Sequence, residues 1–335
     1  MSTTTAPANS PADPPADPPA GSPADPPTTP SATRRTAAAH PTRPRRPRWR
    51  TVLGWVTMIV ILLITLFPFY WMLRTAFSTN SELAAQATNL APAGFTLDAF
   101  RRVFGLTTLE ESLAQGGAGG RINFWLYLRN SVIMSTAITL GQVFFSAMAA
   151  YAFARLRWPG RDVVFAVFLS ALMVPGIFTA IPNFVLIKEL GLLNTFPGLV
   201  LPTFFMTPFA IFFLRQFFLG IPHEIEEAAM IDGASRARTF LRIIIPMSAA
   251  PITTLSVLTY IQAWNEYFWP LLVGQSDGVR VLTVALGIFR SQTPQGSPDW
   301  AGLMAATLVA ALPIVLLFVV LGRRIVNSIG FSGIK

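Results

Sequence analysis

Six long apolar runs dominate the pattern of hydrophobic and polar positions along this chain. They occupy residues 51–73, 131–154, 163–187, 197–218, 250–273 and 303–325. A helix that crosses the hydrocarbon core of a bilayer needs about 20 predominantly apolar residues, and each run reaches that length. Several runs contain prolines, which a membrane bundle tolerates as kinks: Pro68, Pro175, Pro182, Pro202, Pro208 and Pro313. The pattern predicts an all-α integral membrane protein, a bundle of six transmembrane helices.

A polar segment between the fourth and fifth runs interrupts this pattern. Pro222 suits a first helical position, and the glutamates that follow it occupy the first turns, where the positive end of the helix dipole favours anions. Gly233 is placed to end this helix, and Ser235 can cap a second helix that runs to Pro246. We therefore predict a helix–turn–helix that lies across the membrane surface on the cytoplasmic side.

The spacing within this segment resembles the EAA loop of the membrane subunits of ATP-binding-cassette importers. Here the motif reads Glu227-Ala-Ala, three residues, Gly233, nine residues, Ile243, one residue, an aliphatic residue and Pro246. The one departure is Ile245, where the family usually has Leu. A second segment, Trp264-Asn-Glu-Tyr-Phe-Trp-Pro270, is similar to one in carbohydrate-uptake permeases of the smaller maltose-permease type. The resemblance covers roughly residues 51–335.

This resemblance implies a permease subunit of an ATP-driven importer, which translocates a sugar or oligosaccharide delivered by an external solute-binding protein. It also implies a second homologous permease chain and two ATPase subunits. ATP and Mg would be held by those ATPases, so no cofactor is expected on this chain. The resemblance assigns ATPase coupling to ten residues: Glu226, Glu227, Ala228, Ala229, Met230, Ile231, Asp232, Gly233, Phe240 and Pro246.

Composition and charge agree with a membrane location. Hydrophobic residues make up 52% of the 335 residues and charged residues 12%, against about 25% charged residues in soluble domains. The net charge of +9 does not indicate a nucleic-acid partner, because the arginines flank the apolar runs. Most of the 25 Lys and Arg residues fall on the side that carries the helix–turn–helix and both termini. The positive-inside rule therefore predicts cytoplasmic termini in a bacterial-type inner membrane.

The first 50 residues form a separate class of sequence. Pro-Ala-Asp-Pro-Pro repeats followed by an arginine-rich end cannot bury a core, so we predict a disordered tail. Its basic end is expected to lie against anionic lipid head groups. The predicted domains are this tail, residues 1–50, and a transmembrane permease domain, residues 51–335.

One sizeable external loop, residues 78–130, joins the first two predicted spans. Its segment from Phe95 to Phe100 resembles a family pattern that precedes a short amphipathic helix. Two interpretations stay open for this loop: it caps the bundle, or it receives the solute-binding protein.

Motifs for catalysis are absent from the sequence. The chain has no Gly-x-x-x-x-Gly-Lys-[Ser/Thr] phosphate-binding loop, no Gly-x-Ser-x-Gly elbow and no His-Glu-x-x-His motif. It has no cysteine, which excludes disulfides and thiolate metal sites, and its two histidines are too few for a His-based metal centre. An enzymatic role is therefore not supported.

Asn265 and Glu266 are polar outliers within the fifth predicted span, and together with Tyr267 they form the candidate translocation pathway. A carboxylate at membrane depth is costly unless it is paired or hydrated. Glu266 therefore either lines a pathway or gate, or lies near the external interface. The neighbouring aromatic residues, Trp264, Tyr267 and Trp269, could stack on sugar rings or form the interfacial aromatic belt.

Two further polar residues and two rival functions complete the sequence-based interpretation. Gln142 and Asn183 lie inside predicted spans, where such residues more often form interhelical hydrogen bonds than bind ligands. A proton-coupled secondary transporter that uses Glu266 as its carrier would explain the acid but not the EAA spacing. A non-transporting membrane scaffold would explain only the basic tail.

Overall fold

The computed structural model describes residues 48–85, 88–92, 94–115, 123–291 and 299–329. Within these ranges all regular elements are helical, which confirms the predicted all-α class. The predicted disordered tail lies outside the described residues up to residue 47. Contacts group the chain into two units, Met1–Thr57 and Met58–Lys335, and the domain boundary at residue 50 stays a prediction.

The helices of the described ranges follow one another with short connections. They are, in chain order, α1 Arg48–Ala76, α2 Asn80–Ala85, α3 Asp98–Val103, α4 Leu109–Ala114, α5 Phe124–Arg155, α6 Arg161–Ser170, α7 Gly176–Glu189, α8 Phe196–Phe204, α9 Pro208–Leu219, α10 His223–Ile231, α11 Arg236–Thr239, α12 Ile245–Met247, α13 Ala249–Asn265, α14 Phe268–Val273, α15 Leu282–Ser291 and α16 Trp300–Ile329. A 3₁₀ turn, Ala171–Met173, follows α6, and a π-helical turn, Phe240–Ile244, joins α11 to α12.

Three helices of the described chain are long and apolar enough to cross a membrane unaided. Their apolar parts are Val52–Ala76, Phe124–Arg155 and Trp300–Gly322. Three further pairs of helices pass the same test only together, because each pair is bent by more than 40° at a short break. The number of spans therefore reaches six if each bent pair counts as one, in agreement with the prediction.

Prolines break the predicted spans, because a proline lacks an N–H and its ring crowds the carbonyl four residues upstream. The third span bends by 100° at Pro175, and the fourth bends by 46° just before Pro208. The prediction of one continuous helix over 250–273 is wrong: α13 ends at Asn265, five residues before Pro270. The carbonyl of Glu266, freed by Pro270, accepts a hydrogen bond from the Thr283 hydroxyl at 2.8 Å.

α5 is the central helix of the bundle. It makes its most extensive contacts with α9, α13 and α8, and its 32 residues give a length of about 48 Å. Small residues let neighbouring helices approach closely in membrane bundles, and Gly141 is the sharpest case. A Cβ atom at Gly141 would lie 2.4 Å from the ring of Phe204 on α8. The end of α8 is therefore seated directly on the middle of α5.

The two ends of α5 carry different elements. At the N-terminal end, Phe104 stacks on Trp125 with 5.5 Å between ring centroids. The short helix α3 overlaps the predicted amphipathic helix and packs on α16. An ion pair between Arg102 and Asp299, at 3.0 Å, holds it there. At the C-terminal end, Arg155 contacts the start of α10. The loop helices α2–α4 and the predicted helix–turn–helix therefore lie at opposite ends of the bundle.

Candidate coupling helix and membrane cleft

The structure contains the predicted helix–turn–helix. Its first helix, α10, begins at His223, so that Pro222 precedes the helix and does not occupy its first position. Gly233 adopts a φ of +81°, a conformation that glycine reaches without a Cβ penalty. The N–H of Ala234 donates to the carbonyl of Ala229 at 2.9 Å, and the N–H of Gly233 donates to Met230 at 3.0 Å. These bonds close the helix end, as the sequence predicted for Gly233.

The second helix of the motif is continuous from Arg236 to Met247 but contains a π turn. Ser235 caps it, because the Oγ atom accepts the N–H of Arg238 at 3.3 Å. Pro246 cannot donate to the carbonyl of Arg242, and the helix widens over Phe240–Ile244, just before this proline. The N–H of Ile245 then donates to the carbonyl of Phe240, five residues upstream.

The predicted coupling residues divide between two faces. Glu226 and Ala229 are buried on the inner face of α10, and Phe240 is buried beside them, with its ring centroid 5.1 Å from that of Tyr151. The outer face is exposed, with Met230 46% and Ile231 86% accessible. The other exposed members of the predicted set are Glu227, Ala228, Asp232, Gly233 and Pro246. The outer face is thus an apolar knob rimmed by carboxylates.

A buried polar network fastens the inner face of α10 to the end of α5. The guanidinium of Arg155 lies 3.0 Å from the carboxylate of Glu226, with side-chain exposures of 1% and 10%. The Tyr151 hydroxyl donates to the other carboxylate oxygen at 3.1 Å. Arg155 also contacts His223 Nδ1 at 3.1 Å and donates to the carbonyl of Phe218, at the end of α9. We call these side chains, together with the carbonyl of Ile221, the Arg155 network.

The Arg155 network combines charge with direct hydrogen bonds. Arg155 Nε and Glu226 Oε1 are close, but neither atom forms a well-directed hydrogen bond. Their attraction is therefore mainly that of opposite charges in a buried setting. The directed bonds run from Tyr151 to Glu226, and from Arg155 to the two carbonyls at the end of α9. Together they connect α5, α9 and α10.

A cleft of about 790 Å³ opens beside the middle of α5. α5 contributes Met134, Ile138 and Gln142 to its wall. Ile138 lies about 21 Å from the start of α5 and about 25 Å from its end. The cleft is therefore near the centre of a helix long enough to span the membrane.

The cleft lies where broken helices meet. Its lining includes Gly176 at the start of α7, Thr207 between α8 and α9, and Glu266 between α13 and α14. Irregular backbone at membrane depth is tolerated only where it is buried in protein or lines a water-filled cavity. The remaining lining side chains with polar groups are Gln142, Thr179, Asn183, Thr203, Thr259, Gln262, Asn265 and Trp269. This arrangement places hydrogen-bonding groups beside the middle of α5.

The predicted pathway residues take different positions. Asn265 and Glu266 line the cleft, but the Asn265 amide donates to the carbonyl of Ile261 at 2.9 Å. One carboxylate oxygen of Glu266 accepts the N–H of Trp269 at 3.1 Å, which caps the start of α14. Tyr267 is not among the described residues that line the cleft, and it lies against Gly287 of α15.

The structure also gives the positions of the aromatic and amide side chains that the sequence offered as candidates for the pathway. Trp264 is buried and stacks on Tyr260, so it forms neither a sugar platform nor an interfacial belt. Trp269 lines the cleft and donates its indole N–H to the carbonyl of Gly198 at 3.2 Å. Gln142 donates to the Thr207 hydroxyl at 3.1 Å, the interhelical bond that its position predicted. It also lines the cleft, as does Asn183.

Sequence reasoning missed Arg155 and Tyr151. One signal was available, because Arg155 is the first charged residue after the second apolar run and Tyr151 lies one helical turn before it. Residues four apart share a helix face, so both side chains had to point at the same neighbour. Nothing in the local pattern identified Glu226 as that neighbour.

Comparison with known proteins gives a consistent answer. Residues 142–330 match the family described as the inner membrane component of binding-protein-dependent transport systems. The chain is 32% identical over 282 residues to the sn-glycerol-3-phosphate transport system permease protein UgpE of Escherichia coli O1:K1, which covers 84% of this chain and 96% of UgpE. It is 30% identical over 289 residues to the arabinooligosaccharides transport system permease protein AraQ of Halalkalibacterium halodurans, covering 85% and 97%.

A solved structure shares the fold. The crystal structure of a bacterial ABC transporter involved in the import of the acidic polysaccharide alginate matches with a TM-score of 0.71 at 21% identity. The match covers 85% of this chain and 99% of that chain. The chain has helices of spanning length that are broken around a central cleft, and a surface helix anchored to the bundle. Together these features define a membrane transport permease.

The chain belongs to the family of inner membrane components of binding-protein-dependent transport systems. It is therefore a membrane-spanning permease subunit of an ABC importer, a transport component and not an enzyme. Membership does not support the two rival functions, a proton-coupled carrier and a membrane scaffold.

Proposed function

We propose that this permease translocates a sugar or oligosaccharide delivered by an external solute-binding protein, and that it does so by alternating access. It pairs with a second homologous permease chain and with two ATPase subunits that hold ATP and Mg. AraQ, whose name specifies arabinooligosaccharides, and the sugar-permease-like segment Trp264–Pro270 support the sugar class.

The two-faced helix α10 is the observation that carries the proposal. Its outer face exposes Met230 and Ile231, an apolar surface rimmed by carboxylates that suits contact with a protein partner. Its inner face is tied to α5 and α9 by the Arg155 network. A partner that moves α10 therefore moves α5, whose middle lines the cleft, and α9, whose first turn lines it at Phe209.

The proposed topology follows from the same arrangement. α10 docks on the ATPase, so this end of the bundle faces the cytoplasm together with both termini. The end that carries α2–α4 then faces outward, where the solute-binding protein delivers its ligand. ATP-driven closure of the ATPase dimer shifts the bundle between inward-open and outward-open states, provided that the ATPases bind the two states with different free energy.

Copurification tests the docking surface. The Glu227→Lys variant reverses a charge on the outer face of α10, where it does not touch the buried network. We expect a folded permease that retains less ATPase and imports less sugar. The matched control is Glu110→Gln on α4, an exposed acid at the opposite end of α5. Normal ATPase retention and uptake with Glu227→Lys would contradict the docking proposal.

A further inference from the structure

Among the described residues that line the cleft, the charge comes from one side chain. The described residues that line it include neutral amides, hydroxyls and aromatic rings, but among them Glu266 alone is ionisable. Glu266 is exposed and, within the described part of the chain, forms no ion pair. The described lining is therefore largely apolar, with scattered amides and hydroxyls and one carboxylate.

The position of Glu266 lets its charge act on a solute in the cleft. It lies at the break between α13 and α14, on the same cleft as Thr179 of α7 and Gln142 of α5. A space of about 790 Å³ has an edge on the order of 9 Å, so the separation between a solute in the cleft and the carboxylate is on the order of 10 Å. At such distances a like charge is repelled measurably even through water, whereas a neutral hydroxyl is an acceptable hydrogen-bond donor to the carboxylate.

We propose that the cleft admits neutral polyhydroxylated solutes and disfavours anionic ones such as phosphorylated polyols and uronic acids, and that the Glu266 carboxylate sets this selectivity. The proposal rests on the proposed function of the cleft as the translocation pathway. It separates this permease in substrate class from relatives named for sn-glycerol 3-phosphate or for an acidic polysaccharide.

A structural role for Glu266 is the competing explanation, because its carboxylate caps α14 through the N–H of Trp269. Two variants separate the roles. Glu266→Gln keeps an oxygen that can accept this N–H and removes the charge. Glu266→Asp keeps the charge and shortens the reach to the N–H. If the charge sets the selectivity, Glu266→Gln loses it and Glu266→Asp keeps it. If the carboxylate only caps α14, the variant that still reaches the N–H of Trp269 behaves like the wild type.

The absence of cysteine from the chain permits a direct measurement of the field in the cleft. A cysteine is placed at the exposed Thr179 in the assembled transporter in proteoliposomes at low salt. Its rates of modification by an anionic and a cationic methanethiosulfonate, the sulfonatoethyl and trimethylammonioethyl reagents, are compared. We expect the cation to react faster. For a separation on the order of 9 Å in water, removing the charge with Glu266→Gln should lower the cation-to-anion rate ratio about fivefold, and Glu266→Asp should preserve it.

The control is Glu189→Gln, which removes an exposed acid from the same helix as Thr179 but outside the described cleft lining, and it should leave the ratio unchanged. An unchanged ratio in Glu266→Gln would overturn the inference while leaving the pathway assignment intact. A thiol at 179 that reacts with neither reagent in any nucleotide state would show that the cleft is closed to water, which overturns the pathway assignment and the inference together. Wild-type uptake of sn-glycerol 3-phosphate as fast as that of arabinotriose would also overturn the inference.

Discussion

Replacing Glu226 with Ala should release α10 from the bundle without altering its outer face. The substitution leaves the Arg155 guanidinium buried without its counter-ion and removes the acceptor of the Tyr151 hydroxyl. Removing one partner of a buried ion pair costs about 3–5 kcal/mol. We take the lower end, about 3 kcal/mol, because Glu226 retains 10% exposure and Arg155 keeps its bonds to the α9 carbonyls.

Hydrogen exchange of the α10 amides measures this release directly, because exchange reports the free energy of local opening. A loss of about 3 kcal/mol corresponds to an increase in exchange of roughly a hundredfold, since each 1.4 kcal/mol is about a factor of ten. The measurement uses purified permease in detergent without the ATPase, so that docking cannot protect the helix. The matched control is Glu227→Ala, one residue away on the exposed face, for which surface substitutions predict changes within about 0.5 kcal/mol.

The two variants should show opposite patterns in two assays. Glu226→Ala should speed exchange across His223–Ile231, whereas Glu227→Ala should leave exchange unchanged and reduce ATPase retention. Equal exchange in the wild type and in Glu226→Ala would refute the claim that the Arg155 network anchors α10. A double-mutant cycle with Arg155→Ala then isolates the coupling between the two side chains.

Three further outcomes follow from the same structure. Gly233→Pro should abolish ATPase copurification in a folded bundle, because proline fixes φ near −65° where the turn requires +81°. The Gly233→Ala variant, whose added Cβ meets open space, should lose much less ATPase. Equal ATPase retention by the wild type and both variants would contradict the role of the turn. Gly141→Ala should lower the melting temperature through a clash with Phe204 worth about 1–3 kcal/mol. The control Gly322→Ala, where an added Cβ has nothing within 4 Å, should not lower it. An unchanged melting temperature in Gly141→Ala would refute the close α5–α8 contact. Deleting residues 1–30 should leave uptake nearly intact, because that stretch lacks the apolar residues to join a core; loss of assembly would reveal a partner for the tail.

Periodicity and length were sufficient to predict the membrane spans, but not where they break. Prolines lie at the breaks near Pro175, Pro208 and Pro270, and each deprives the carbonyl four residues upstream of its helical donor. The 79° bend at Ser248 has no proline at the break. The sequence shows Pro270, yet whether Glu266 finds another partner depends on Thr283, which only the fold brings near. The break at Glu266 was therefore not predicted from the apolar run alone, although the residue itself was identified as an outlier.

The coupling motif shows the same division between local and long-range information. Gly233 and Ser235 act through bonds to residues at most five positions away, and their roles were readable from spacing. The division of α10 into two faces was not readable, because Glu226 and Glu227 are adjacent and chemically identical. Burial separates them, and it is set by Arg155 on a helix that is distant in sequence.

The most direct test of ATP-driven import is uptake into sealed proteoliposomes that contain the complete transporter and its solute-binding protein. ATP is enclosed on the side of α10, and an ionophore collapses any pH gradient. The account predicts that a labelled sugar bound by this solute-binding protein accumulates with ATP, does not accumulate without it, and is unaffected by the ionophore. Uptake that stops when the gradient collapses, despite ATP, would contradict the account and would favour a proton-coupled carrier that uses Glu266.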